Sequence, residues 1–106
     1  MAADPAFRDQ VVDMLSPIGA IDSRSMFGGY GIFAEGDMFA LISGSALFFK
    51  VDDSNRSHYE AAGSAQHKPM PYYRVPGEVL DNQPRLLEWA RTSIAVAKAT
   101  PTKKKR

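Results

Sequence analysis

The feature that most constrains this chain is an alternation of side chains through residues 38–51, broken by short turn-forming runs. Met38, Ala40 and Ile42 alternate with Phe39, Leu41 and Ser43. Ala46, Phe48 and Lys50 then alternate with Leu47, Phe49 and Val51. A period of two rich in aromatic and branched residues marks strands, because successive strand side chains point to opposite faces. The breaks, Glu35-Gly36-Asp37 and Ser43-Gly44-Ser45, suit tight hairpin connections. The pattern predicts an antiparallel meander with strands near residues 24–27, 30–34, 38–42 and 46–51.

Helical spacing takes over on either side. Phe7, Val11, Met14, Leu15 and Ile18 form one stripe over a helix from Asp4 to Ser16, with Asp4 as cap, Pro5 at the first position, and Pro17 and Gly19 ending it. A second helix is predicted from Ser54 to Ala62, capped by Asp53 and closed by Gly63, with Arg56 and Glu60 paired on one face. Residues 64–71 read as a loop and Tyr72-Tyr73-Arg74-Val75 as a short strand closed by Pro76-Gly77. The last helix is expected from Pro84 to Lys98, with Leu86, Leu87, Trp89, Ala90, Ile94 and Ala97 on its apolar face and Trp89 as a core anchor. Grouped strands with N-terminal, central and C-terminal helices indicate an α+β fold: a meander sheet of four to five strands and helices on one face, in two layers. The 46–51 strand is apolar on both sides, so its second face must meet another chain segment or a partner.

A length of 106 residues favours a single domain, placed at 1–98, followed by a disordered basic tail at 99–106. The absence of cysteine excludes disulfides, thiolate zinc sites and thiol nucleophiles. No apolar run reaches the roughly 20 residues that span a bilayer, and charges occupy the N-terminus where a signal peptide is apolar. The expectation is a soluble, cytoplasmic protein with no membrane contact. The net charge of +1 conceals a partition: Lys103, Lys104, Lys105 and Arg106 carry +4, and the preceding residues hold nine Lys/Arg against twelve Asp/Glu. The body is mildly acidic and has no net attraction for a phosphate backbone.

Met26-Phe27-Gly28-Gly29-Tyr30-Gly31-Ile32-Phe33 invites a phosphate-loop reading, but a strand follows it rather than a helix, and the first lysine is Lys50. An RNA-stacking strand is also a poor match, since Gly28 stands at its basic position and Ile32 at its second aromatic. The run is read as a structural bend. His58 and His67 form no metal-ligand pattern, Asp52-Asp53 is explained by a strand end and a helix cap, and no serine sits in a nucleophile elbow. No catalytic residue, cofactor or metal is assigned, and the chain is read as not an enzyme.

Together, several stretches resemble the TfoX N-terminal domain family: Arg24-Ser25-Met26-Phe27-Gly28-Gly29-Tyr30-Gly31-Ile32-Phe33, then Gly36-x-Met38-Phe39-Ala40-Leu41-Ile42, Phe49-Lys50-Val51-Asp52-Asp53-x-Asn55-Arg56, Tyr59-Glu60-Ala61-Ala62-Gly63, Tyr72-Tyr73-x-Val75-Pro76 and Leu87-x-Trp89-Ala90-Arg91. They occur in order and cover nearly everything from residue 7 to 98. The resemblance implies a small bacterial α+β domain. In the namesake proteins it belongs to a positive regulator of DNA-uptake genes in natural competence, working beside the cyclic-AMP receptor protein. The family carries no catalytic residues to transfer. Two departures stand out: a lysine-rich tail where the namesakes have a C-terminal helical domain, and a short segment between Gly63 and Tyr72 that lacks the expected aromatic strand and leaves a sheet edge exposed.

The leading expectation is therefore a regulatory or protein-interaction domain that docks a partner through its sheet, with Tyr30 and Phe48 as candidate docking residues. The alternative is direct nucleic-acid binding through Arg24, Arg74, Arg91 and the tail residues Lys103, Lys104, Lys105 and Arg106. An aromatic sheet face and a truncated edge also fit a homodimer.

Overall fold

The computed structural model describes residues 4–26, 28–67 and 71–99. Asp4 opens the first helix by accepting the Ala6 N–H at 3.0 Å, and Pro5 takes the first position, where no amide hydrogen is needed. Helix α1 runs Pro5–Leu15 and tightens into a 3-10 turn at Ser16–Ile18. Strands β1 (Ile21–Met26), β2 (Gly29–Ala34), β3 (Asp37–Ser43) and β4 (Ala46–Lys50) follow as a continuous meander. Helix α2 (Arg56–Ala61), strand β5 (Tyr72–Arg74), the one-turn helix α3 (Gly77–Leu80) and the long helix α4 (Gln83–Ala99) complete the described chain.

The five strands form one antiparallel sheet in the order β1-β2-β3-β4-β5. A single apolar cluster joins Val11 and Leu15 of α1, Tyr59 of α2, Val79 of α3 and Leu86, Ala90, Ile94 and Ala97 of α4 to Ile32, Ala40, Ile42, Leu47 and Phe49 of the sheet. All helices thus cover the same sheet face, and the molecule is a two-layer α+β fold. Each large side chain fully enclosed there contributes roughly 1.5–3 kcal/mol.

Polar contacts tie α4 both to the sheet and to α1. Ser93 Oγ donates to the Lys50 carbonyl at 2.8 Å, and Gln83 Nε2 donates to the Met14 carbonyl at 3.0 Å. Lys98 Nζ spans the β2–β3 hairpin, meeting Glu35 Oε1 at 2.8 Å and Asp37 Oδ2 at 3.2 Å. Both carboxylates raise the pKa of Lys98.

Several sequence expectations change. β1 begins at Ile21 rather than residue 24, because its polar residues pair with β2 as an edge strand that no periodicity marks. Met38 and Phe39 depart from simple alternation: Ile32 pairs with Ala40 but Phe33 pairs with Met38, which makes Phe39 an extra residue in a β-bulge. Phe39 and Ala40 both enter the core, and Met38 turns to the opposite face. Asp53 does not cap α2. Asp52 instead folds the turn before it, accepting the Ser54 N–H and hydroxyl, and those bonds hold its carboxyl below the usual range. Asp53 pairs with Arg56, so the Arg56–Glu60 pair does not form. Helix α3 was not anticipated. Residues 64–67 do more than loop: Gln66 bridges Tyr73, Arg74 N–H donates to the Ala65 carbonyl, and His67 N–H donates to the Tyr72 carbonyl. A rudimentary strand thus runs along the outer edge of β5. The tail from residue 100 onward, including Lys103 to Arg106, together with Phe27 and residues 68–70, lies outside the described residues.

Candidate functional site

Side chains that point away from the helices occupy successive register positions across the sheet. One row runs Arg24, Gly31, Leu41, Phe48, Arg74, each paired with the next on its neighbouring strand. The adjacent row carries Asp22, Phe33 and Met38, and then Lys50 opposite Tyr72. Among the described residues no helix crosses this face, yet it is mostly apolar. Leu41 and Tyr72 are buried, and Met26, Phe33, Met38 and Phe48 are half-buried.

Gly31 forms the floor of the face. A Cβ there would lie 2.6 Å from Met26 Sδ, 3.2 Å from Met38 Sδ and 3.2 Å from the Phe33 ring, so two thioethers and a ring converge over bare backbone. Gly29, two residues earlier, serves a different need: a Cβ there would lie 2.0 Å from the Ile42 carbonyl oxygen, so the glycine permits close strand approach. The glycine run is thus a hairpin element whose two strand glycines do separate work.

Cations rim this apolar surface. The Arg24 guanidinium lies 5.0 Å from the Phe33 ring centroid, a cation–π contact. Arg74 stands at the far end of the row and Lys50 beside Tyr72. Among the described residues the ion pairs join Arg8 to Asp9, Arg56 to Asp53 and Lys98 to Glu35 and Asp37, leaving Arg24, Lys50 and Arg74 outside any of them. Asp22 is the acidic residue in these rows. The face is therefore net positive on an acidic body. Tyr72 Oη reaches the Met38 carbonyl at 3.4 Å, and burial pushes its pKa up to about 12.

The structure separates the two expected docking residues. Phe48 lies on the helix-free face, in T-shaped contact with His67 at 5.0 Å between centroids. The His67 ring thus covers part of the second apolar side of the 46–51 strand. Tyr30 pairs with Ser25 and Ile42 on the helix side, packs against the core and has the Arg8 guanidinium 4.8 Å from its ring centroid. Arg24 and Arg74 share the face of Phe48, whereas Arg91 is exposed on α4 in the other layer. Met26, Phe33, Met38 and Lys50 were not singled out from sequence. Phe33 was within reach of the alternation in β2, but the bulge hid Met38.

Outside this face, open surface clefts of about 470 Å³ beside Arg74 and Glu78 and about 400 Å³ beside Arg8 and Asp13 hold no cluster of catalytic groups among the described residues, and a third is small. A cleft of about 90 Å³ between α2 and α4 is lined by Asn55, His58, Tyr59, Glu88, Trp89 and Thr92. That is well under the roughly 300–1,000 Å³ of ordinary ligand pockets. The Trp89 ring packs edge-on to Tyr59 at 4.8 Å between centroids but stays half-buried. Among the described residues the buried Tyr59 hydroxyl has no hydrogen-bond partner. Burial raises its pKa, and the neighbouring Ser93 hydroxyl opposes that shift. Among the described residues no three His, Asp or Glu side chains group as a metal site, and no helix is long and apolar enough to cross a membrane.

Comparison with known proteins places this architecture. A sequence model of the TfoX N-terminal domain matches residues 13–97. The chain belongs to the TfoX N-terminal domain family. It is also similar to Protein Sxy of Escherichia coli (strain K12), with 25% identity over 95 residues that cover 80% of this chain and 44% of that protein. This TfoX N-terminal domain thus spans less than half the length of that curated relative. Within the domain, the helix-free face takes in the Arg24–Phe33 stretch and Met38, Leu41 and Phe48.

Proposed function

We propose that this TfoX-type domain is a non-enzymatic regulatory module of the cytoplasm that controls transcription of DNA-uptake genes by docking a protein partner. The docking surface is the helix-free face of its sheet, with Phe48 near the middle and Tyr30 excluded. The observation that carries the reading is an apolar face with no covering helix among the described residues, on a sheet already closed by helices on its other side. Single exposed apolar residues need no explanation, but contiguous ones mark interaction surfaces. Family membership supports the regulatory setting.

A photo-crosslinking residue placed at position 33 tests this reading in the native cell, with position 91 on the opposite layer as control. Adducts to a defined protein are expected at 33 and not at 91, together with loss of DNA-uptake transcripts in Phe48→Glu. Equal adducts at both positions, or none at 33, would remove the reading.

A second reading has a specific observation behind it: Arg24 and Arg74, both proposed from sequence as nucleic-acid contacts, share this face. Direct binding would weaken steeply as salt rises. A titration with no DNA affinity even at low ionic strength would eliminate it.

A further inference from the structure

We infer that the helix-free face takes an amphipathic helix whose apolar stripe is flanked on both sides by carboxylates. The inference rests on the docking reading above and names the chemistry of the partner. Arg24 and Arg74 end a row that crosses all five strands. Four strand spacings of roughly 4.8 Å put their backbones about 19 Å apart. A helix with its side chains is about 10–12 Å across. That leaves room on each side for a long cationic side chain, and Arg24 already leans over Phe33 on one of them.

The floor between the two arginines suits such an occupant. Gly31 has no side chain, and the Met26 and Met38 thioethers lie over it. Methionine is flexible and polarisable, so both can move aside and repack around an incoming apolar side chain. The backbone of the central strands is committed to the ladder on both sides, so an added strand would have to join at the β1 edge, outside the span between the two arginines. A helix layered on the sheet fits that span, as α4 does on the opposite face.

Charge selects the flanks. Among the described residues Arg24, Lys50 and Arg74 take part in no ion pair, and Asp22 alone opposes them in these rows. Carboxylates on both sides of the stripe would complete them. A second copy seated face to face would oppose like charges. Single-stranded nucleic acid would need free ring faces for stacking. Here Arg24 occupies the Phe33 ring, Phe48 meets His67, and Tyr72 is buried.

The test uses the full chain and three fluorescent peptides of about 18 residues. The first carries leucine at heptad positions a and d and glutamate at the flanking e and g positions. The second carries lysine at e and g, and the third repeats the first with a central proline. At physiological salt the acidic helix is expected to bind about tenfold or more tighter than either control. The double variant Arg24→Glu with Arg74→Glu should reverse the preference, with its fold checked by thermal melting. An acidic preference that survives that reversal would assign the attraction to Lys103–Arg106 and overturn the inference. Equal binding of the proline peptide, or its displacement by an oligothymidine, would overturn it too. If no peptide binds but position-33 crosslinks persist, the helix assignment fails and the docking surface stands. If the crosslinks are also absent, the docking reading itself has failed.

Discussion

The two faces of this sheet are built from the same five strands and differ in what covers them. On the helix side Ile32, Phe39, Ile42, Leu47 and Phe49 are all sealed to within 1% exposure by α1, α2, α3 and α4. On the other side Leu41 and Tyr72 are buried, while Met26, Phe33, Met38 and Phe48 remain half-open. The helix side has the branched and aromatic residues that pack with defined shape. The other has two methionines over a glycine, rimmed by cations. One face is thus packed against fixed neighbours, and the other is made of side chains that can repack. The lesson is that closing a two-layer fold uses only one face of a sheet and leaves the composition of the second free for other demands.

The largest expected difference between the faces is in stability. Phe39→Ala removes a fully buried ring from the bulge and should cost about 3–5 kcal/mol. Phe48→Ala, half-exposed on the other face, should cost about 1–2 kcal/mol. Urea unfolding measures both, and equal losses would break the comparison.

The glycines sharpen it on a smaller scale. Gly29→Ala drives a Cβ onto the Ile42 carbonyl, a backbone atom that cannot yield, and should cost about 1–3 kcal/mol. Gly31→Ala meets the mobile ends of Met26 and Met38 and should cost less than about 1 kcal/mol. A Gly31→Ala loss as large as that of Gly29→Ala would mean that the methionines are rigidly packed and not adaptable.

The smallest effect is a pH dependence from Tyr72. Its folded pKa of about 12 lies above the ordinary phenol value of 10.0, so the native state holds the proton more tightly than the unfolded chain. The stability linked to that proton is fully present below pH 10 and is lost as pH rises through about 12. Tyr72→Phe should flatten this decline in unfolding midpoints measured between those limits. Tyr59, raised by burial on the helix side, contributes a parallel decline that the variant leaves intact. An unchanged slope in Tyr72→Phe would show that Tyr72 is not sealed on its face.

Much of the architecture could be read locally. Hairpin breaks, the Asp4-Pro5 helix start and the period-two alternation of β4 are encoded within a few residues of where they act, so the meander and its flanking helices were legible. The candidate surface was legible only in pieces. Phe48 was found because both sides of its strand are apolar, and Arg24 and Arg74 because they are charged. Tyr30 was grouped with Phe48 although the two point to opposite faces. Each strand's alternation sorts its residues into two sets, but it does not say which set of one strand joins which set of the next.

By itself, then, the sequence determined the element types, the antiparallel order through β4, and the family that those ordered motifs mark. Tertiary structure alone decided which side of the sheet each set faces. The deciding event is the bulge at Phe39, where one extra residue reverses the facing of Met38 relative to Ala40. No local preference dictates that reversal, because the apolar run Met38–Ile42 does not mark where its alternation breaks. Packing sets the break: Phe39 and Ala40 fill the space against the helices, and Met38 is turned out beside Phe33.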